Sequence, residues 1–337
     1  MPRRLAITVD LAGSDADRAR TFAYVQSADD VGVETVFVSE AWGREAFGQL
    51  ALLAGRTERV TLGTSIVNVF SRTPAALAQH FATLDELSNG RAIMGLGTSG
   101  KLVIEEFHGV PFEKPATRLR ETIQILRLLI AGEPLRFQGD VFQFERGFTL
   151  RFTPVRARIP VYLASFRPAG LKIVAEHADG WLPMMIPLER LAEQIGKVRA
   201  MTVAAGRDPA SVVVKAPGAV IVTHDVPAAR QAYKQHLAFY VARMGVYYST
   251  QLTEMGRGDE VQAIRNAWDE GRSAGGAAAV SDDLLAAFAT IVTPDQLDDA
   301  VARLEAQAAA GVDLHQITLT GITDAGEQRR VLEHLVG

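Results

Sequence analysis

Short, nearly all-apolar runs recur along the chain, centred on Ile7, Phe37, Leu62 and Ile93. Their spacing of about 30 residues is that of one strand–helix unit. Runs such as Thr35–Val38 and Ala92–Met94 show no polar alternation, the pattern of strands buried on both faces of a parallel sheet. Between the runs, helices are expected to stop at Gly32 and Gly311, where glycine takes the left-handed cap conformation without steric cost. Both stops lead into similar words, Gly32-Val33-Glu34 and Gly311-Val312-Asp313, and Asn89-Gly90-Arg91 makes a related turn before the fourth run. Apolar positions at Leu119, Ile123, Leu126 and Ile130 predict a helix over 117–130. Alternation over 137–152, with Gly139-Asp140 and Arg146-Gly147 as turns, predicts a small hairpin.

The strand pattern then resumes at Val161–Leu163, Gly180–Leu182, Ala219–Val222 and Gln316–Leu319. Thr293, Pro294 and Gln296 read as the capped start of the helix before the last strand. Four strands before residue 100 and four after 160 favour a closed (β/α)8 TIM barrel over a doubly wound sheet. No linker divides the chain, so the expectation is one domain over 1–337. The glycine-rich stretch at about 245–285 fits no unit and reads as a partly helical insertion near the top of strand seven.

Composition narrows the function classes. The 337 residues carry 35 Lys+Arg against 39 Asp+Glu, a net charge of -4, which gives no cationic field for nucleic acid. With no cysteine, thiol nucleophiles, zinc ribbons and Cys-ligated clusters are excluded. No stretch approaches the ~18 apolar residues of a membrane span. The opening Met1–Leu5 has a basic pair with no long apolar run behind it. A soluble cytoplasmic protein is expected.

In a barrel of this kind, chemistry sits at the carboxyl ends of the strands. That rule selects Asp10, Ser39-Glu40, Thr64-Ser65-Ile66, Gly97-Thr98-Ser99-Gly100, Ala164-Ser165-Phe166-Arg167 and Leu182–Met184. Gly95–Gly100 matches the G-x-G-x-x-G spacing of dinucleotide sites. It follows a fourth strand rather than a first, and Gly109, Pro111 and Pro115 break the helix that should follow. The glycines either make a tight turn or line a cofactor with backbone. Glu40 can handle a proton or accept a ligand hydrogen bond; equally, it can pair with a nearby arginine such as Arg44. Trp42 is a candidate pocket wall or a core residue. Glu105, Glu106 and His108 read as a solvated face, and Arg72, Lys101, Lys114 and Arg167 as loop cations. No metal-ligand spacing, G-x-S-x-G elbow or Walker motif occurs.

Several words together resemble the bacterial luciferase-like superfamily: Val38-Ser39-Glu40, Leu62–Asn68, Leu87–Gly97, Ile159–Ala164 and Ala175–Gly180. Gly97–Gly100 and Phe107–Pro111 are most similar to its coenzyme F420-dependent branch, which includes methylenetetrahydromethanopterin reductases and sugar-phosphate dehydrogenases. The resemblance implies a (β/α)8 barrel, a homodimer and an oxidoreductase passing a hydride between the deazaflavin and a small organic substrate (C=C, C=N or methylene-pterin type). It also implies a non-prolyl cis peptide at Ser65-Ile66. Ser39, Glu40, Thr64, Ser65, Ile66, Asn68, Gly97, Thr98, Ser99, Gly100 and Ala164 would line the ring and its side chain. Ser165, Phe166 and Arg167 would approach the phosphate end, and Glu40 is the candidate catalytic acid. Ala41 and Gly100 depart from the histidine and glutamate of the sugar-phosphate enzymes. The alternatives are an FMN-dependent monooxygenase and a non-catalytic flavin-binding barrel.

Overall fold

The apolar runs form the staves of a closed ring in the computed structural model, which describes residues 2–337. Met1, part of the opening segment considered above, lies outside the described residues. The strands in chain order are β1 (Leu5–Val9), β2 (Thr35–Val38), β3 (Thr61–Thr64), β4 (Val67–Asn68), β5 (Ala92–Gly97), β6 (Leu135–Gln138), β7 (Gln143–Phe148), β8 (Val161–Ala164), β9 (Gly180–Trp181), β10 (Val213–Thr223), β11 (Ala289–Val292) and β12 (Leu314–Thr320). Parallel pairing runs β1–β2–β3–β5–β8–β9–β10–β12 and returns to β1. This is the expected eight-stranded (β/α)8 barrel. β4 prolongs β3 along β5, with Val67 opposite Leu96 and Asn68 opposite Gly97.

The helices are α1 (Asp15–Val31), α2 (Ala46–Ala54), α3 (Pro74–Leu87), α4 (Pro115–Ile130), α5 (Pro168–His177), α6 (Leu188–Ala204), α7 (Val226–Arg243), α8 (Tyr247–Leu252), α9 (Gly258–Ala278), α10 (Asp282–Phe288), α11 (Leu297–Ala309) and α12 (Ala325–Val336). Gly32 and Gly311 follow their helices at φ of 92° and 100°, the left-handed caps that their positions predict. Outward strand residues such as Leu5, Ile7 and Val36 pack under the helices in one large core. Alternate positions, including Ala6, Phe37, Ile93, Tyr162 and Leu314, form a smaller cluster inside the barrel. β6 and β7 make the expected hairpin. The buried carboxylate of Glu121 clamps it by accepting from the backbone N–H groups of Asp140, Val141 and Phe142 at 2.7, 3.0 and 3.0 Å.

Two expectations need correction. Residues 289–292 form an additional strand, β11, alongside the outer half of β10 from Ala219 to Val222. Thr293 does not cap the next helix. The Gln296 side chain turns back to accept from the Thr293 N–H (3.3 Å) and hydroxyl (3.0 Å), closing a turn, and α11 begins only at Leu297. The stretch at 245–285 is helical for most of its length. A five-residue segment (Thr253–Arg257), kinked at Gly256 with φ 92°, joins α8 to α9, and Val261, Ile264 and Trp268 of α9 are buried with Leu237, Ala238 and Val241 of α7. Among the described residues, no helix is long and apolar enough to cross a membrane.

Candidate active site

At the carboxyl ends of β2, β3 and β5 the main chain is held by hydrogen bonds to its own carbonyl and N–H groups. Ser39 Oγ donates to the Ser65 carbonyl at 2.9 Å, and the Glu40 N–H donates to the Ile66 carbonyl at 3.3 Å. The Ser65–Ile66 peptide between these two carbonyls is cis, as expected. One strand inward, the Thr64 hydroxyl donates to the Gly95 carbonyl (2.6 Å) and accepts from the Gly95 N–H (3.1 Å). A Cβ on Gly95 would stand 1.5 Å from the Thr64 carbonyl oxygen, so only glycine allows this approach. A Cβ on Gly97 would meet Ile66 Cδ1 at 3.1 Å and the Ala164 carbonyl oxygen at 3.5 Å. Ser39, Glu40, Thr64, Ser65, Ile66, Gly97 and Ala164 therefore form one continuous rim.

The remaining expected residues adjoin it. Asn68 is buried; its Oδ1 accepts from the N–H groups of Phe70 and Ser71 at 3.0 and 2.7 Å, and its Nδ2 lies 3.3 Å from His108 Nε2. His108 thus turns toward the rim rather than joining a solvated face with Glu105 and Glu106. In the turn after β5, the left-handed position falls on Ser99 (φ 58°), not on a glycine, and a Cβ on Gly100 would meet open space. After β8, the Ser165 carbonyl accepts from Trp181 Nε1 at 2.7 Å, and its hydroxyl oxygen lies 1.7 Å from where a Cβ on Gly170 would stand. Arg167 occupies the N-cap position of α5 without a side-chain cap bond, and its guanidinium carbon lies 5.2 Å from the Tyr247 ring centroid.

Glu40 has a partner that its sequence neighbourhood does not offer. Arg72 grips it in a fork, Nη1 to Oε1 at 2.5 Å and Nη2 to Oε2 at 3.0 Å, and the Ala46 N–H donates to Oε2 at 2.9 Å. The pair is well shielded, with side-chain exposures of 7% for Glu40 and 18% for Arg72. Arg44 turns away to Asp10 at 3.0 Å. Behind Arg72, the Phe47 ring stacks on His80, with centroids 4.6 Å apart. Burial, and then the nearby Arg72 cation, hold the His80 imidazole below its usual pKa. Among the described residues, no cluster of His, Asp or Glu could hold a metal ion.

Residues 6–313 match the luciferase-like monooxygenase family. The chain belongs to this luciferase-like family. It is 34% identical, over 93% of both chains, to a Mycobacterium tuberculosis protein assigned provisionally by name as a coenzyme F420-dependent oxidoreductase. It is 30% identical to the 5,10-methylenetetrahydromethanopterin reductase of Archaeoglobus fulgidus, over 86% of both chains. The fold is shared with the solved F420-dependent tetrahydromethanopterin reductase of Methanopyrus kandleri, at a TM-score of 0.82 and 23% identity over 99% of this chain and 97% of that one.

In this luciferase-like chain, α7 and α8 bring a row of aromatic side chains over the barrel mouth. From the end of β2, Trp42 meets Phe239 (ring centroids 6.2 Å apart), which meets Tyr240 (5.8 Å). Tyr240 meets Tyr248 (5.1 Å), which meets Phe166 at the end of β8 (5.5 Å). Sequence reasoning singled out Trp42 and Phe166 but not the three residues between them. The only signal was the density of aromatics in Phe239-Tyr240 and Tyr247-Tyr248.

Proposed function

We propose that this protein is a coenzyme F420-dependent oxidoreductase that exchanges a hydride between the deazaflavin and a small organic substrate at the carboxyl face of the barrel. The observation that carries this reading is similarity over 93% of both chains to a protein whose name gives coenzyme F420 dependence. The rim suits a flat ring, because Gly95 and Gly97 add no side chain between β3, β5 and β8. The amino end of α5 suits a phosphate: it lacks a side-chain cap, and helix amino ends favour anions. Ser165 and Arg167 stand beside it, and a guanidinium binds an oxyanion through parallel hydrogen bonds.

When bound, the deazaflavin supplies a two-electron hydride carrier that does not activate oxygen, and the protein supplies orientation and charge. Ser39, Glu40, Thr64–Ile66, Asn68, Gly97–Gly100 and Ala164 would hold the ring and its side chain, and Ser165–Arg167 the phosphate end. We assign Glu40 an anchoring role rather than proton transfer. Its carboxylate already accepts three hydrogen bonds, and its backbone N–H fixes the Ile66 carbonyl. The test is a binding titration of the protein with F420 and, separately, with FMN. F420 should bind more tightly. Equal or tighter binding of FMN would replace this reading with the monooxygenase one.

A further inference from the structure

Next to the turn at Gly100, a cleft of about 360 Å³ opens between residues 100–106 and residues 244–247. That volume lies within the ~300–1,000 Å³ range of small-molecule sites. Its walls are mostly apolar: Leu102 and Val103 on one side, and Met244, Val246 and Tyr247 on the other. Leu102 and Val246, each 58% exposed, leave apolar side chains open to the groove from both walls. The cleft is continuous with the site already described. It begins at Gly100, at the end of the rim turn, and Tyr247 joins it to Phe166 of the aromatic row (ring centroids 6.4 Å apart).

We propose that this cleft receives the distal, apolar part of the substrate, and that the substrate is an uncharged, planar molecule. The assignment rests on the cofactor reading above and adds the substrate class to it. Charge in the cleft argues against the other occupants. Its one cation, Lys101, faces Glu105 at 3.7 Å, and Glu106 adds a second carboxylate. Two carboxylates against one lining cation disfavour a sugar phosphate along the wall of residues 101–106; the Arg167 guanidinium lies only at the Tyr247 edge, where the phosphate end of the cofactor is placed. Planarity follows from the aromatic row that leads from the cleft to the barrel mouth, since stacked and edge-on ring contacts favour a flat partner.

The test uses 1-aminoanthracene, an uncharged three-ring fluorophore, titrated into the full-length protein, with F420 binding measured separately by equilibrium dialysis. One equivalent of the fluorophore should bind. Leu102→Asp and Val246→Asp, both at exposed positions, should each weaken it tenfold or more, while the F420 dissociation constant stays within twofold. Three results would overturn the proposal: no fluorophore binding, binding indifferent to both substitutions, or displacement by F420 or glucose 6-phosphate. If F420 fails to bind while the fluorophore behaves as described, the cofactor reading falls and the cleft stands as an apolar ligand site.

Discussion

The barrel mouth is built in two ways. On one side, the rim at β2, β3 and β5 is set by backbone: carbonyls held by Ser39 and Thr64, and glycines packed against neighbouring main chain. On the other, α7 and α8 cover the mouth with side chains alone, a row of rings in mutual contact. A rim fixed by backbone cannot change residue by residue without moving the strands. A row of side chains can change one ring at a time. The first arrangement suits a constant partner such as a cofactor; the second suits a substrate that differs between relatives.

Substitutions can break this contrast. The largest effect is expected from Gly95→Ala, because a methyl group 1.5 Å from the Thr64 carbonyl oxygen forces β3 and β5 apart. Urea denaturation should show a loss above about 4 kcal/mol, in the range kept for severe core or backbone lesions. Glu40→Gln comes next. It leaves the shielded Arg72 guanidinium without its carboxylate, a lesion of about 3 kcal/mol when a buried pair loses one member. Adding Arg72→Gln should recover part of that loss, and strictly additive losses in the double-mutant cycle would show that the two side chains do not depend on each other.

The opposite end of the barrel supplies a control independent of both regions. His315, at the start of β12, is buried, and its Nδ1 lies 2.9 Å from Gln307 Oε1. Burial, and then the Arg3 cation, push its pKa down to about 4. Between pH 6.5 and 4 the unfolded chain takes up a proton that the folded one refuses, so stability falls as the pH drops through that window. At pH 4 the loss reaches about 3 kcal/mol relative to neutral pH. His315→Gln should remove this share of the slope in melts from pH 7 to 4. The smallest effect belongs to Gly100→Ala, where the new methyl group meets open space. It should change stability by less than about 0.5 kcal/mol, so the first and last glycines of one sequence motif should differ widely in tolerance.

The same contrast explains what the sequence made legible. Strand periodicity, the caps at Gly32 and Gly311 and the rim words are local, because the pattern and the structural demand fall on the same few residues. Glu40 and Arg72 are 32 positions apart, and nothing in Ser39-Glu40-Ala41-Trp42 says which arginine will arrive. Asn68 is expected beside the ring from its sequence word, but that its amide also fixes a turn and meets His108, forty residues on, is not legible there. β11 escaped notice because Ala289–Val292 runs directly on from α10, with no turn residue between them to mark where the helix stops. The aromatic row is assembled across a helix junction and two strand ends, where no period applies.

On the function proposed above, the backbone rim, and not the rings of α7 and α8, seats the deazaflavin ring. The direct test is an F420 titration of the wild type, Gly97→Ala and Tyr248→Leu, each checked for a native far-UV circular dichroism spectrum. Gly97→Ala places a methyl group 3.1 Å from Ile66 Cδ1, the end of a side chain that can yield slightly. It should therefore fold, while altering the face offered to the ring. F420 binding should weaken at least tenfold in Gly97→Ala and change within twofold in Tyr248→Leu. The reverse order would contradict that role for the rim.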